Sequence, residues 1–159
     1  MKDPRKKHII LGIGRGKIQE KGDHMKIHSK EEMKKWTLEF FRTLPSGAVV
    51  SLEGDLGAGK TQMVQWIGQA LGVQKSIPSP TFDLVHTYKT PRGPLRHLDL
   101  YRLETPREIE ALDYEDYFYP ENGYTFIEWA KKAGPYLPKD LITLTILKGP
   151  GEEREVFLS

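Results

Sequence analysis

The segment Gly54-Asp55-Leu56-Gly57-Ala58-Gly59-Lys60-Thr61 constrains this chain more than any other. It matches GxxxxGK[ST], the pattern of a phosphate-binding loop. An apolar run from Ala48 to Glu53 leads into it and reads as a buried strand. Behind it, Lys60 to Leu71 reads as a helix with Val64, Ile67 and Leu71 on one face and Gly72 as its stop. Glycines let the backbone curl until successive N–H groups converge on phosphate oxygens. The following helix aims its positive N-terminus at the same anion. In such a loop the lysine, here Lys60, bridges the β- and γ-phosphates, and the Thr61 hydroxyl ligates Mg²⁺. A chance match in a chain of this length has a probability on the order of half a percent at average composition. Asp55, Leu56, Gly57, Ala58, Gly59, Lys60 and Thr61 are therefore the candidate nucleotide-binding residues. Gly12-Ile13-Gly14-Arg15-Gly16-Lys17 is a decoy: it lacks the spacing, the preceding strand and the Ser/Thr.

The rest of the chain fits an α/β sheet around that loop. Ser29-Lys30-Glu31-Glu32 is a capping box, and Met33, Trp36, Phe40, Phe41 and Leu44 follow at helical spacing, predicting a helix from about 30 to 43. Strands are expected over 82–88 and 95–101, around Pro91-Arg92-Gly93-Pro94, and over 124–129. Thr105-Pro106-Arg107-Glu108 is a second capping box and opens a helix carrying Ile109 and Leu112. The chain closes with a hairpin of 141–147 and 154–158. This order predicts an α/β P-loop NTPase with a mixed parallel and antiparallel sheet flanked by helices. Residues 25–159 read as one domain, and residues 1–24, which show no sustained periodicity, as a flexible basic extension with Met25 as a candidate natural start.

A P-loop needs an acid for its metal, at the end of a neighbouring apolar strand. Glu128 ends Tyr124-Thr125-Phe126-Ile127, the better buried-strand pattern, and Asp99 lies in Leu95-Arg96-His97-Leu98-Asp99. Pattern favours Glu128. His97 and Asp99 share a strand face; they are incomplete as a metal pair, and His97 fits either a role supporting a metal ligand or orienting a water, or that of an ordinary hydrogen-bonded strand histidine. Thr81, in Ser79-Pro80-Thr81-Phe82, is either a switch residue sensing the γ-phosphate or part of a proline-fixed loop. The guanine-reading Asn-Lys-x-Asp motif is absent, since Asn122 is the only asparagine and Gly123 follows it, so adenine is the expected base. Three classes remain: an ATPase, a small P-loop kinase acting on a nucleoside or other small acceptor, and a nucleotide-gated assembly module.

Taken in order, the P-loop, Ser79-Pro80-Thr81-Phe82, His97-Leu98-Asp99-Leu100-Tyr101-Arg102-Leu103 and Ile127-Glu128-Trp129 resemble the TsaE (YjeE) family over about residues 26–158. Gln62 departs from the threonine that family members often place after the P-loop. The resemblance implies a cytoplasmic, Mg²⁺-dependent ATPase subunit of the bacterial machinery that makes N6-threonylcarbamoyladenosine in tRNA. Such a subunit binds ATP and ADP, docks on the partner pair TsaB and TsaD, and resets that pair by hydrolysis. By position the resemblance implies Lys60, Asp99 and Glu128 as catalytic residues, Thr61 and Glu128 as metal ligands, Trp129 beside the nucleotide, and Ser29 to Glu31 close to the adenosine. No arginine-finger motif is evident, so weak activity alone and stimulation by partners are expected.

Composition limits the alternatives. The absence of cysteine excludes disulfides, thiolate metal sites and a cysteine nucleophile. No apolar run approaches the roughly 18 residues that span a bilayer, so no membrane association is expected. Residues 1–24 hold seven basic and three acidic groups, a charge of +4, which leaves residues 25–159 at −2. A slightly acidic body argues against strong direct tRNA binding and leaves tRNA contact to partner proteins.

Overall fold

The computed structural model describes residues 23–80 and 83–159. Among the described residues seven strands form one sheet: β1 (Asp23–Ile27), β2 (Ala48–Glu53), β3 (Val85–Tyr88), β4 (Leu95–Asp99), β5 (Tyr124–Glu128), β6 (Ile142–Lys148) and β7 (Arg154–Leu158). Their spatial order is β1-β7-β6-β2-β5-β4-β3. The central run β6-β2-β5-β4 is parallel, and the three outer pairings, β1 with β7, β7 with β6, and β3 with β4, are antiparallel. The mixed α/β P-loop sheet expected from sequence is the sheet found.

Helix α1 (Lys30–Thr43) begins where the capping box predicts, with Ser29 Oγ accepting from the Glu32 N–H at 3.1 Å. Helix α2 (Lys60–Ala70) follows the P-loop. Their apolar faces cover one side of the sheet, where Phe40, Val50, Leu52, Val64, Ile67, Phe126 and Leu144 form the larger core. Alternation sends Val49, Leu98 and Ile127 through to the other side, where a smaller core gathers Leu100, Ile109 and Phe118. That second layer is thin. The helix after Thr105 is a 3-10 helix over Pro106–Ala111, followed by the short α3 (Tyr114–Phe118) and, after β5, a 3-10 segment over Ala130–Tyr136. The capping box and proline fix its start, but apolar residues are too few to hold a longer α-helix there.

Strand β1 was not expected from the sequence. Asp23 and His24, which the sequence reading assigned to the extension, pair with Leu158 and Phe157 of β7. The anchor is Ile27, fully buried in the larger core. The extension reading for residues 1–22 lies outside the described residues. Among the described residues, no helix is long and apolar enough to cross a membrane.

Candidate nucleotide site

The site lies at the C-terminal ends of the parallel strands, on the face covered by α2. Side-chain alternation places Leu95, His97 and Asp99 of β4 on this face, together with Phe126 and Glu128 of β5. The strands run in register, so that Asp99 and Glu128 are direct neighbours. Both carboxylates are buried. The pairing of equivalent strand ends brings together two acids that lie far apart in sequence.

The P-loop leaves β2 through Gly54, whose φ is 148°. A Cβ there would stand 2.6 Å from the Ile146 carbonyl oxygen, so glycine is required by backbone crowding against β6. Gly59 caps α2 with no side-chain hydrogen bond, leaving the first N–H groups of that helix for an anion. Lys60 Nζ donates to the Gly54 carbonyl at 2.6 Å and lies 4.0 Å from Glu128 Oε1. This loop-bridging posture holds the ammonium beside the space where phosphates would sit.

Glu128 is the hub. Its Oε2 accepts from Thr61 Oγ1 at 3.2 Å and contacts His97 Nε2 at 2.7 Å. His97 is fully buried, and its Nδ1 has no hydrogen-bond partner. With Nδ1 unpartnered, the contact fits a ring whose Nε2 carries a proton and donates it to Glu128. The contact sets His97 against the carboxylate of Glu128, an arrangement that accommodates both sequence readings of this histidine. Asp99 accepts from the Tyr101 N–H at 3.0 Å and lines the same space.

The chain turns after β5 at Trp129, which adopts the left-handed conformation with φ 59°. For a non-glycine residue this costs about 1–3 kcal/mol. The turn sets the indole against Tyr101, with ring centroids 5.1 Å apart, and 5.3 Å from Lys60 Nζ. The resulting cavity, about 760 Å³, takes in Asp55, Leu56, Gly57, Gly59, Lys60, Thr61, Ser79, Asp99, Glu128 and Trp129. Ala58 is buried and turns inward, while the Leu56 side chain is almost wholly exposed. A smaller cavity of about 250 Å³ shares Gly59 and Gln62 with the first and extends toward Lys30, Met33, Trp66 and Arg154. The first turn of α1 thus borders the site through Lys30; Glu31 is exposed there and does not line that cavity. Thr81 lies outside the described residues.

Two basic residues at the loop were missed by sequence reasoning. Arg154 Nε donates to the Ala58 carbonyl at 3.0 Å, so the terminal hairpin fastens the P-loop from outside. Lys148 Nζ lies 3.3 Å from the point where a Cβ on Gly57 would stand. Neither lies in a motif, and β6 and β7 become neighbours of the loop only through the sheet order.

The donor set at Thr61 and Glu128 fits Mg²⁺: hard oxygens from a hydroxyl and a carboxylate, with the remaining positions left to phosphate oxygens and water. Among the described residues no group of three or more His, Cys, Asp or Glu could hold a metal unaided.

The family profile described as "Threonylcarbamoyl adenosine biosynthesis protein TsaE" matches residues 27–156. A tRNA threonylcarbamoyladenosine biosynthesis protein TsaE from a Nostoc species is 44% identical over 120 residues, 74% of this chain and 73% of the relative. The protein of the same name from Bacillus subtilis is 37% identical over 110 residues, 69% of this chain and 68% of the relative. Among solved structures, the crystal structure of Bacillus subtilis YdiB superposes with a TM-score of 0.71 at 28% identity, covering 87% of this chain and 84% of that one.

Proposed function

This chain belongs to the TsaE family of threonylcarbamoyladenosine biosynthesis proteins, and from that premise we propose that it is the Mg²⁺-dependent ATP-hydrolysing subunit of the tRNA-modifying machinery, docking on TsaB and TsaD and resetting that pair between rounds. The observation that carries the ATPase reading is the convergence of Lys60, Thr61, His97 and Glu128 at the N-terminus of α2.

In this mechanism the P-loop N–H groups and Lys60 hold the β- and γ-phosphates and offset the charge that develops as the terminal bond breaks. Thr61 and Glu128 would hold Mg²⁺, which when bound supplies charge neutralisation at the phosphate oxygens. His97 keeps Glu128 in place. Asp99, buried on the adjacent strand end, orients the water that attacks the γ-phosphorus. The bond to ADP breaks and inorganic phosphate leaves. The smaller cavity beside Lys30 and Trp66 accepts the nucleoside end of ATP, and Trp129 flanks the nucleotide from the other side.

The test is a pull-down of TsaB and TsaD with this chain in ATP, in ADP and without nucleotide, alongside phosphate release with and without nucleoside acceptors. The proposal expects nucleotide-dependent capture and phosphate release to water. Phosphate transfer to a nucleoside would establish a kinase instead.

A further inference from the structure

A second cavity, also about 760 Å³, lies at the opposite end and on the opposite face of the sheet from the P-loop, beside α3 and the starts of β4 and β5. Its walls include Tyr114 and Tyr117 of α3 and Tyr136. The Tyr114 and Tyr136 rings meet edge to face with centroids 5.2 Å apart. Tyr119 Oη donates to the Tyr136 carbonyl at 3.4 Å, tying α3 to the segment after β5. The cavity is therefore lined by aromatic side chains that are braced against one another.

Its lining carries one cation against three carboxylates, Glu115, Asp116 and Glu121. All three acids are exposed, and among the described residues none of them forms an ion pair. The cation is Arg96, on β4, only 8% exposed. Among the described residues its guanidinium makes one hydrogen bond, from Nη1 to the Asn122 carbonyl at 3.1 Å. A guanidinium has five N–H donors, so Arg96, which lines the cavity, has donors to offer there beyond the one on Asn122. Burial pushes its pKa down from the ordinary arginine value, and Asp116 opposes that shift.

We propose that this cavity is a docking site for an extended, arginine- or lysine-bearing segment of a partner protein. Tyrosine faces carry negative potential and attract cations and flat or ring-shaped side chains. The acidic rim selects positive charge and repels the phosphates of nucleic acid. A polyamine or bare cation would leave Arg96 unmatched, whereas a peptide backbone brings carbonyl oxygens that Arg96 can donate to. Aromatic-lined grooves with extended peptides are a recurrent recognition mode, because the bound conformation needs little ordering. Distance from the P-loop makes the site independent of the nucleotide reading.

The test uses the full chain and a blocked decapeptide of alternating arginine and proline, titrated by calorimetry. An alternating glutamate–proline decapeptide and a single-stranded RNA decamer serve as comparisons. The arginine peptide should bind, more weakly as salt rises, and neither comparison should. Glu115→Lys with Glu121→Lys should weaken binding by about tenfold or more. Tyr117→Ala should weaken it while leaving the salt dependence unchanged. A pair of reversals elsewhere on the surface, Glu39→Lys with Glu104→Lys, should change affinity by less than about twofold. Circular dichroism and nucleotide binding verify that each variant is folded. No binding by the arginine peptide, equal loss in the two reversal pairs, or RNA binding that Tyr117→Ala abolishes would each overturn the proposal.

Discussion

At the scale of single residues, the site turns on how Glu128 is held. Its Oε2 is shared between Thr61 and His97, at 3.2 and 2.7 Å. Removing an outer partner of a metal-binding carboxylate typically weakens the metal by about 10–100-fold. His97→Ala is expected to raise the Mg²⁺ concentration needed for nucleotide binding by at least about tenfold. His97→Gln, which can still donate to Glu128, should recover part of that loss. Trp129 is 43% exposed and lies beside Lys60, so its fluorescence during Mg²⁺ titration reports both variants. A purely structural role for His97 would lower thermal stability in both without separating their Mg²⁺ dependence. Lys60→Ala is expected to cut ATP turnover by about 100-fold or more, measured as phosphate release. Lys60 and Thr61 stand out in the sequence because strand–loop–helix patterning is local, and Asp99 and Glu128 stand out as candidate acids because each lies at the end of an apolar strand run. Pattern favours Glu128 over Asp99 as the acid for the metal, and in the structure Glu128 is the acid that accepts from Thr61. The roles of Arg154 and Lys148 were not legible, since they depend on which strand lies beside the loop.

At the scale of elements, the sheet is closed by a strand whose sequence hardly announces it. Asp23-His24-Met25-Lys26-Ile27 follows Gly22 but has only two apolar residues, Met25 and Ile27, too short an alternation to mark a strand by itself. Pairing with β7 places Ile27 in the core with no exposed surface. Ile27→Ala is expected to destabilise the protein by about 2–5 kcal/mol, measured by denaturant unfolding. Met25→Ala, on a side chain 38% exposed, should cost much less. The thin second layer has its own signature. The hydrogen bond to Glu110 raises the Tyr136 pKa above the ordinary tyrosine value, and burial raises that of Tyr117. A raised folded-state pKa means that the folded chain holds its phenolic protons longer than the unfolded chain. That stability is fully present below about pH 10 and is lost as pH rises through the folded values. Tyr117→Phe with Tyr136→Phe should flatten the decline of melting temperature above about pH 10. An unchanged alkaline slope would assign that decline to other groups.

At the scale of the whole molecule, the proposed ATPase carries its machinery on one end of the sheet and leaves part of it open. Lys60 is the P-loop cation, Lys148 borders Gly57 from outside, and Arg154 is occupied with the Ala58 carbonyl. None of the three is a free arginine aimed across the γ-phosphate position. An arginine supplied in trans raises turnover of related phosphoryl-transfer sites by about 10³–10⁵-fold. Around the mouth of the cavity stand Leu56, Tyr101 and Trp129, exposed by 94, 54 and 43%. Exposed apolar side chains at the rim of a catalytic cavity suit a surface completed by a partner. Adding purified TsaB and TsaD is therefore expected to raise ATP turnover by at least about tenfold, whether by supplying a cation or by excluding water from the cavity. Leu56→Asp should abolish the stimulation, read as the ratio of stimulated to basal turnover, because its side chain faces outward at the rim. Basal and stimulated phosphate release, measured in parallel for the unaltered chain and this variant, separate the two quantities. Equal turnover with and without the partners would place all catalytic groups within this chain and remove the reason for reading the exposed rim as a docking surface.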